Sequence, residues 1–334
     1  MTIVFIFVQT WAVLKSRRPL RTLPAAALAA VLALGGLTGC GSGAAGGSGG
    51  PEIVASFYPV AWLAENVAGP DARVRTLTRP GTEPHDLELT ARQVADVGRA
   101  DLVIYVRGVQ PAVDDAVRKH AKGTALDAAS VVPTIPAPTG DDGHEHEHGH
   151  EGEEGHGHEK GGDRDPHVWL DPGRMAAIAA RFGERLAATD PARAAAHRSR
   201  AAALAARLNA LDQAFQDGLK SCERRTIVTA HAAFGYLAHR YGLTQVSIAG
   251  VDASAEPSPG RLAELTRRVR ATGATTVFTE TLVSPKVAES LARAAGVRTA
   301  VLDPAEGVRQ GSSDDYLSIM RRNLDTLKPA LGCR

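Results

Sequence analysis

No sign of charge dominates this chain: 38 Lys and Arg stand against 37 Asp and Glu, a formal net charge of +1. Without a basic field to attract phosphates, nucleic acid is disfavoured as a partner. Long apolar runs are lacking too. The Ala/Leu-rich stretch at residues 24–36 is too short to span a bilayer comfortably. Residues 141–159 contain nothing apolar, so they cannot contribute to a core. Cysteine is scarce, limited to Cys40, Cys222 and Cys333.

The first 39 residues read as an address rather than part of a fold. Lys15, Arg17, Arg18 and Arg21 form a positive stretch ahead of the short apolar run, and Leu37-Thr38-Gly39-Cys40 resembles the lipobox of bacterial lipoprotein signals. That resemblance implies cleavage before Cys40, lipidation of its thiol, and a chain anchored by lipid at the extracytoplasmic face of the cell membrane. An uncleaved anchor helix is the alternative. A further apolar run at residues 3–14 precedes the basic residues and fits no ordinary leader, as a start codon assigned too far upstream would produce. Residues 40–50 are almost wholly Gly, Ala and Ser, a flexible tether. With Cys40 in lipid, Cys222 and Cys333 remain as an even pair in an oxidising compartment. A disulfide is expected there, with two buried free thiols as the alternative.

About 280 residues remain, enough for two ordinary domains, and two domains suggest a cleft. Short apolar runs alternate with helical segments punctuated by Gly and Pro, which is α/β patterning. Strands are expected at residues 52–57, 73–78 and 102–106, and again at 226–229, 245–248, 275–279 and 299–302. Thr90 followed by Gln93 spells a capping box. Ser258-Pro259 and Ser284-Pro285 each pair an N-cap with an N1 proline, while Gly273 and Gly296 sit where a glycine ends a helix. Between the two halves, Leu204, Leu208, Leu211 and Phe215 recur at helical spacing in a stretch free of Gly until Gly218. That pattern predicts one long helix of roughly 40 Å, preceded by a separate helix ending before Pro191. The expected architecture is an N-terminal lobe of βα repeats over residues 51–190, a linking helix over 191–221 and a C-terminal lobe of the same kind over 222–334, with a ligand site between the lobes.

His85 in GTEPHDLE, His167 in DPHVWLDP, His231 in TAHAAFGY and Asp303 in VLDP come from well-separated places. A lone histidine beside a helix is more often a satisfied structural group than a ligand. As a set these are different, because three neutral nitrogens and one oxygen fill the tetrahedron of a Zn2+ ion. His85, His231 and Asp303 each follow an expected strand, where open α/β sheets place their ligands. His167 is followed by Trp169 and Leu170, which can anchor its segment by burial. Glu280, in VFTE, ends another strand and is a candidate hydrogen-bond acceptor behind the ligands. His120 and His197 lie in polar helical surroundings and His239 precedes Arg240, and none of the three is expected to join them. In residues 141–159, His144, His146, His148, His150, His156 and His158 alternate with Glu and Gly. This composition predicts a mobile, auxiliary metal-collecting loop, against the plainer reading of a solvated insertion.

Taken in order, GTEPHDLELT, DPHVWLDP, TAHAAFGYLAHRYGL, EPSP, VFTE and VLDP resemble the zinc-binding, ZnuA-like lipoproteins among the solute-binding proteins of metal ABC transporters. The resemblance covers the whole mature chain. It implies two lobes joined by a backbone helix, metal between them, and His85, His167, His231 and Asp303 as ligands. Manganese-binding relatives carry Glu at the third ligand position, so His231 points to zinc. The resemblance also implies capture of Zn2+ outside the cytoplasmic membrane by a monomer, and its delivery to an ABC permease and, through it, to an ATPase. Such a protein is not an enzyme. A zinc-dependent hydrolase would keep an open coordination position, with Asp303 or Glu280 as base. A surface zinc store or adhesin is the remaining alternative.

Overall fold

The structure, a computed structural model, describes residues 49–138, 164–251 and 258–334. The leader, Cys40 and the His-rich stretch at 141–159 lie outside the described residues.

In chain order the first half runs β1 (Glu52–Ala55), α1 (Tyr58–Ala68), β2 (Arg73–Thr76), α2 (Ala91–Arg99), β3 (Leu102–Tyr105), α3 (Pro111–His120), β4 (Ala125–Asp127) and α4 (Pro172–Thr189). Helix α5 (Ala194–Leu219) follows. The second half runs β5 (Thr226–Thr229), α6 (Gly235–Tyr241), β6 (Thr244–Ser247), α7 (Pro259–Ala271), β7 (Thr276–Thr279), α8 (Lys286–Ala295), β8 (Arg298–Val301) and α9 (Tyr316–Leu331). Each half forms an all-parallel sheet of the same topology, β2-β1-β3-β4 and β6-β5-β7-β8. The strand order reverses between β1 and β3, and again between β5 and β7. Crevices therefore open beyond the carboxyl ends of those pairs.

The central strands β1, β3, β5 and β7 are buried along nearly their whole length because both faces of each sheet are covered. Ile53, Ala55 and Ile104 point into a core that continues across both halves, whereas Val54, Val103 and Tyr105 point into a separate cluster under α2 and α3. The second sheet repeats this division, with Ile227 and Phe278 facing the shared core and Val228, Val246 and Val277 packing against α7 and α8. This is the two-residue alternation of a pleated strand.

Helix α5 buries one stripe, Ala201, Leu204, Leu208, Leu211, Phe215 and Leu219. It packs on α1 and α4 from the first half and on α6 and α9 from the second, so a single rigid rod of about 39 Å ties the two sheets together. The expected α/β fold with a long backbone helix is thus the observed one. Cys222, just after α5, is disulfide-bonded to Cys333 at the far end of α9, and Arg224 N–H donates to Leu331 O alongside.

Local signals behave as their chemistry predicts in most places. Thr90 and Gln93 form the full capping box, and the Ser258 hydroxyl accepts the Arg261 amide at the start of α7. Ser284-Pro285 does not repeat that arrangement. Pro285 itself occupies the cap position, its carbonyl accepting from Glu289 N, so α8 begins one residue late and without a side-chain cap. Strand β4 has only three residues, too few for a period to be visible in sequence.

Candidate metal centre

Four side chains converge between the two sheets: His85, His167, His231 and Glu306. His231 is two residues beyond β5. Its backbone carbonyl accepts from Thr229 Oγ1 (2.7 Å) and Gln245 Nε2 (2.9 Å), which fixes the turn that carries it. Glu280, the first residue after β7, accepts from both His231 N (3.1 Å) and Nδ1 (2.8 Å). One carboxylate therefore holds the backbone and the ring together.

His167 precedes a fully buried 3-10 turn, Val168–Leu170, in which the Trp169 indole donates to Pro304 O (2.8 Å) across the cleft. Asp165 performs for His167 what Glu280 performs for His231, accepting from its N (2.9 Å) and its Nδ1 (2.7 Å). His85 sits on the long loop after β2. Its Nδ1 donates to Val109 O (3.1 Å), while Gln110 Nε2 steadies the loop by donating to Thr78 Oγ1 (2.8 Å) and Pro84 O (3.1 Å).

With every Nδ1 engaged as a donor, each Nε2 faces inward and presents a lone pair whenever its ring is neutral. The three Nε2 atoms lie 3.7, 3.6 and 3.3 Å from Glu306 Oε1 for His85, His167 and His231. One ligand atom from each of the four residues fits within 4.8 Å of all the others. These three nitrogens and both Glu306 oxygens are buried and have no hydrogen-bond partner. Buried polar atoms are rarely left so. Five converging on one point describe a cradle for a cation with nitrogen and oxygen preferences.

The electrostatics agree. Burial opposes charging of His231, but the Glu280 and Glu306 carboxylates outweigh it and raise its pKa well above the ordinary value. His85 is raised in the same way, burial being overcome chiefly by Glu306. His167, wholly enclosed, is lowered by burial in spite of Asp165. Glu306 is held below the usual carboxylate range although burial opposes this, because His231 and His85 face it. Glu83, whose Oε1 accepts from His85 N, is pushed up to about 7 by burial and then by the nearby Glu306. A buried carboxylate facing three imidazoles is the electrostatic setting that a dication would complete.

Asp303 is not in the group, contrary to the expectation from sequence. Its Oδ1 accepts from Ala305 N (2.8 Å) in the turn it begins and its Oδ2 from Thr281 Oγ1 (3.1 Å) just beyond β7, so each oxygen is engaged away from the three imidazoles. Glu306, three residues on, turns inward instead. The only trace of this in sequence is the second acid of VLDPAEG. Choosing between the two acids required the path of the backbone at Ala305. His197, expected in polar surroundings, is fully buried, but it is spent on Asp190 (3.0 Å) and on accepting from Arg200 (2.9 Å). A cavity of about 510 Å³ lined by Asp171, Arg174, His239 and Arg240 among others includes none of the four site residues.

Residues 53–330 match the protein family ZnuA, described as zinc-uptake complex component A, periplasmic. The chain belongs to the ZnuA family. It is 37% identical over 285 residues to the zinc-binding lipoprotein AdcA of Streptococcus pneumoniae, an alignment covering 83% of this chain and 55% of AdcA. This chain therefore spans about half the length of AdcA. It is 34% identical over 287 residues to the high-affinity zinc uptake system protein ZnuA of Bacillus subtilis, covering 84% of this chain and 87% of that protein. Among solved structures it resembles the Zn(II)-bound ZnuA-like domain of Streptococcus pneumoniae AdcA, at 33% identity and a TM-score of 0.69, covering 85% of this chain and 99% of that domain.

Proposed function

We propose that this ZnuA-family chain captures Zn2+ outside the cytoplasmic membrane and delivers it to an ABC-type importer. The observation that carries this reading is the convergence of three unpartnered Nε2 atoms and the Glu306 carboxylate in one buried cradle. Zinc is the cargo. His85, His167 and His231 would supply nitrogens at about 2.0–2.1 Å and Glu306 an oxygen at about 2.0–2.2 Å, closing a tetrahedron. An imidazole at position 231, rather than a carboxylate, favours zinc over harder cations.

Four protein ligands leave no position for a reacting water, which argues for binding rather than hydrolysis. Lipid on Cys40 and the glycine-rich tether after it would keep the monomer near the permease, whose ATPase drives import. The His-rich stretch would collect zinc in shifting combinations of ligands.

The reading is tested by zinc-limited growth and 65Zn uptake in cells lacking this gene, complemented by the parent or by His231→Ala. Restoration by the parent alone is expected. Equal restoration by His231→Ala would refute the assignment of the cradle to import.

A further inference from the structure

Ala305, immediately before Glu306, has φ = 55°, and it is the one non-glycine with positive φ among the described residues. A side chain in the left-handed region is strained, and such strain persists only where its surroundings over-determine it. Here they do. Asp303 Oδ1 accepts from Ala305 N (2.8 Å), and Asp303 Oδ2 accepts from Thr281 Oγ1 (3.1 Å) at the end of β7, next to Glu280. The Asn323 amide on α9 clasps the Asp303 backbone, its Oδ1 accepting from Asp303 N (2.9 Å) and its Nδ2 donating to Asp303 O (2.6 Å). Trp169, from the turn after His167, donates to Pro304 O (2.8 Å). Farther along, Gly81 N in the His85 loop donates to Val308 O (2.8 Å). The Glu306 segment is thus pinned to the segments that carry His85 and His167, and to the strand end that carries Glu280, the acceptor behind His231.

We infer that Asp303 is a positioning residue: its carboxylate latches Ala305 in the left-handed conformation, and this aims Glu306 at the three imidazoles before metal arrives. The inference rests on the reading of Glu306 as a zinc ligand. Without the latch, Ala305 relaxes to negative φ and Glu306 leaves the cradle, so zinc has to restore the strained turn as it binds. One alanine in the left-handed region is disfavoured by about tenfold, and zinc affinity falls by that factor.

Four variants of the full chain decide the matter, titrated with Zn2+ against a chelator and with Co2+ as a spectroscopic probe of the coordination sphere. Asp303→Asn keeps an oxygen for the Ala305 amide and is expected to bind within about threefold of the parent. Asp303→Ala is expected to bind about tenfold more weakly, with Co2+ bands altered as water competes for the carboxylate's position. Adding Ala305→Gly to Asp303→Ala should recover part of the loss, because glycine adopts positive φ without strain. Glu306→Gln should lose far more than any of these.

If Glu306→Gln binds like the parent, the ligand reading itself fails. If it loses zinc while Asp303→Ala matches the parent in affinity and Co2+ spectrum, only the positioning role fails. An Asp303→Asn protein as impaired as Glu306→Gln would make Asp303 a direct ligand and overturn the inference. Loss of thermal stability in Asp303→Ala with an unchanged Co2+ spectrum would reduce the residue to a structural brace and overturn it as well.

Discussion

Replacing Glu280 by Gln removes a charge while leaving every proposed ligand in place, and its effect should change with pH. Glu280 accepts from the Nδ1 and the backbone N of His231, and both of its oxygens lie 2.8 Å from Nδ1. A carboxylate there raises the basicity of the imidazole toward metal. Losing such a partner typically costs 10–100-fold in affinity, about 1.4–2.8 kcal/mol. The same carboxylate also raises the pKa of His231 in the metal-free protein, burial notwithstanding, so that zinc has to displace a proton. The two effects oppose each other. At pH 8.5 proton competition is weakest and the full loss should appear. As the pH falls toward 6 the parent pays an increasing proton penalty that the variant partly escapes, so the gap between them should narrow.

Chelator competition across this range measures the gap. Calorimetry in buffers of differing ionisation enthalpy should show fewer protons released per zinc in Glu280→Gln. A constant gap at all pH values together with unchanged proton release would refute the account. Parent-like affinity at pH 8.5 would remove Glu280 from the site's chemistry altogether.

The pKa shifts also set the stability of the metal-free protein. The raised His231 contributes stability that is full below its unfolded value of about 6.5 and is lost as the pH rises through the folded value. Glu83, raised to about 7, adds a penalty that grows from about pH 4.5 to 7, while the lowered His167 works the other way only up to about 6.5, so the metal-free melting temperature should fall between pH 7 and 8 while the zinc-saturated one stays nearly flat. Differential scanning fluorimetry showing a rise over that interval would contradict both assignments. Replacing both Cys222 and Cys333 by Ser opens a closure spanning 111 residues and should cost up to about 4–5 kcal/mol in denaturant unfolding with zinc affinity unchanged. A difference below about 1 kcal/mol would deny the bond a stabilising role. Deleting residues 141–159 should lower total zinc stoichiometry by calorimetry and leave the tightest phase intact, whereas loss of that phase would place the His-rich stretch in the main site.

Much of this protein was legible without coordinates. The alternation of strands and helices, the apolar stripe of α5, the capping box at Thr90 and the three histidines in their loops all follow from local period and spacing, which depend on near neighbours in the chain. The pairing of Cys222 with Cys333 followed from counting. The fourth member of the cradle was not legible in the same way. VLDPAEG offers two acids, and only the left-handed turn at Ala305, braced by Asn323 and Thr281 and tied to Trp169 through Pro304 O, turns Asp303 into the latch and Glu306 into the cleft. The Nδ1 acceptors divide along the same line. Asp165 stands two residues from His167, yet Val109 and Glu280 reach His85 and His231 from 24 and 49 residues away. Side-chain direction at a strand end depends on what the facing lobe supplies, and those contacts exist only once both sheets have packed against α5.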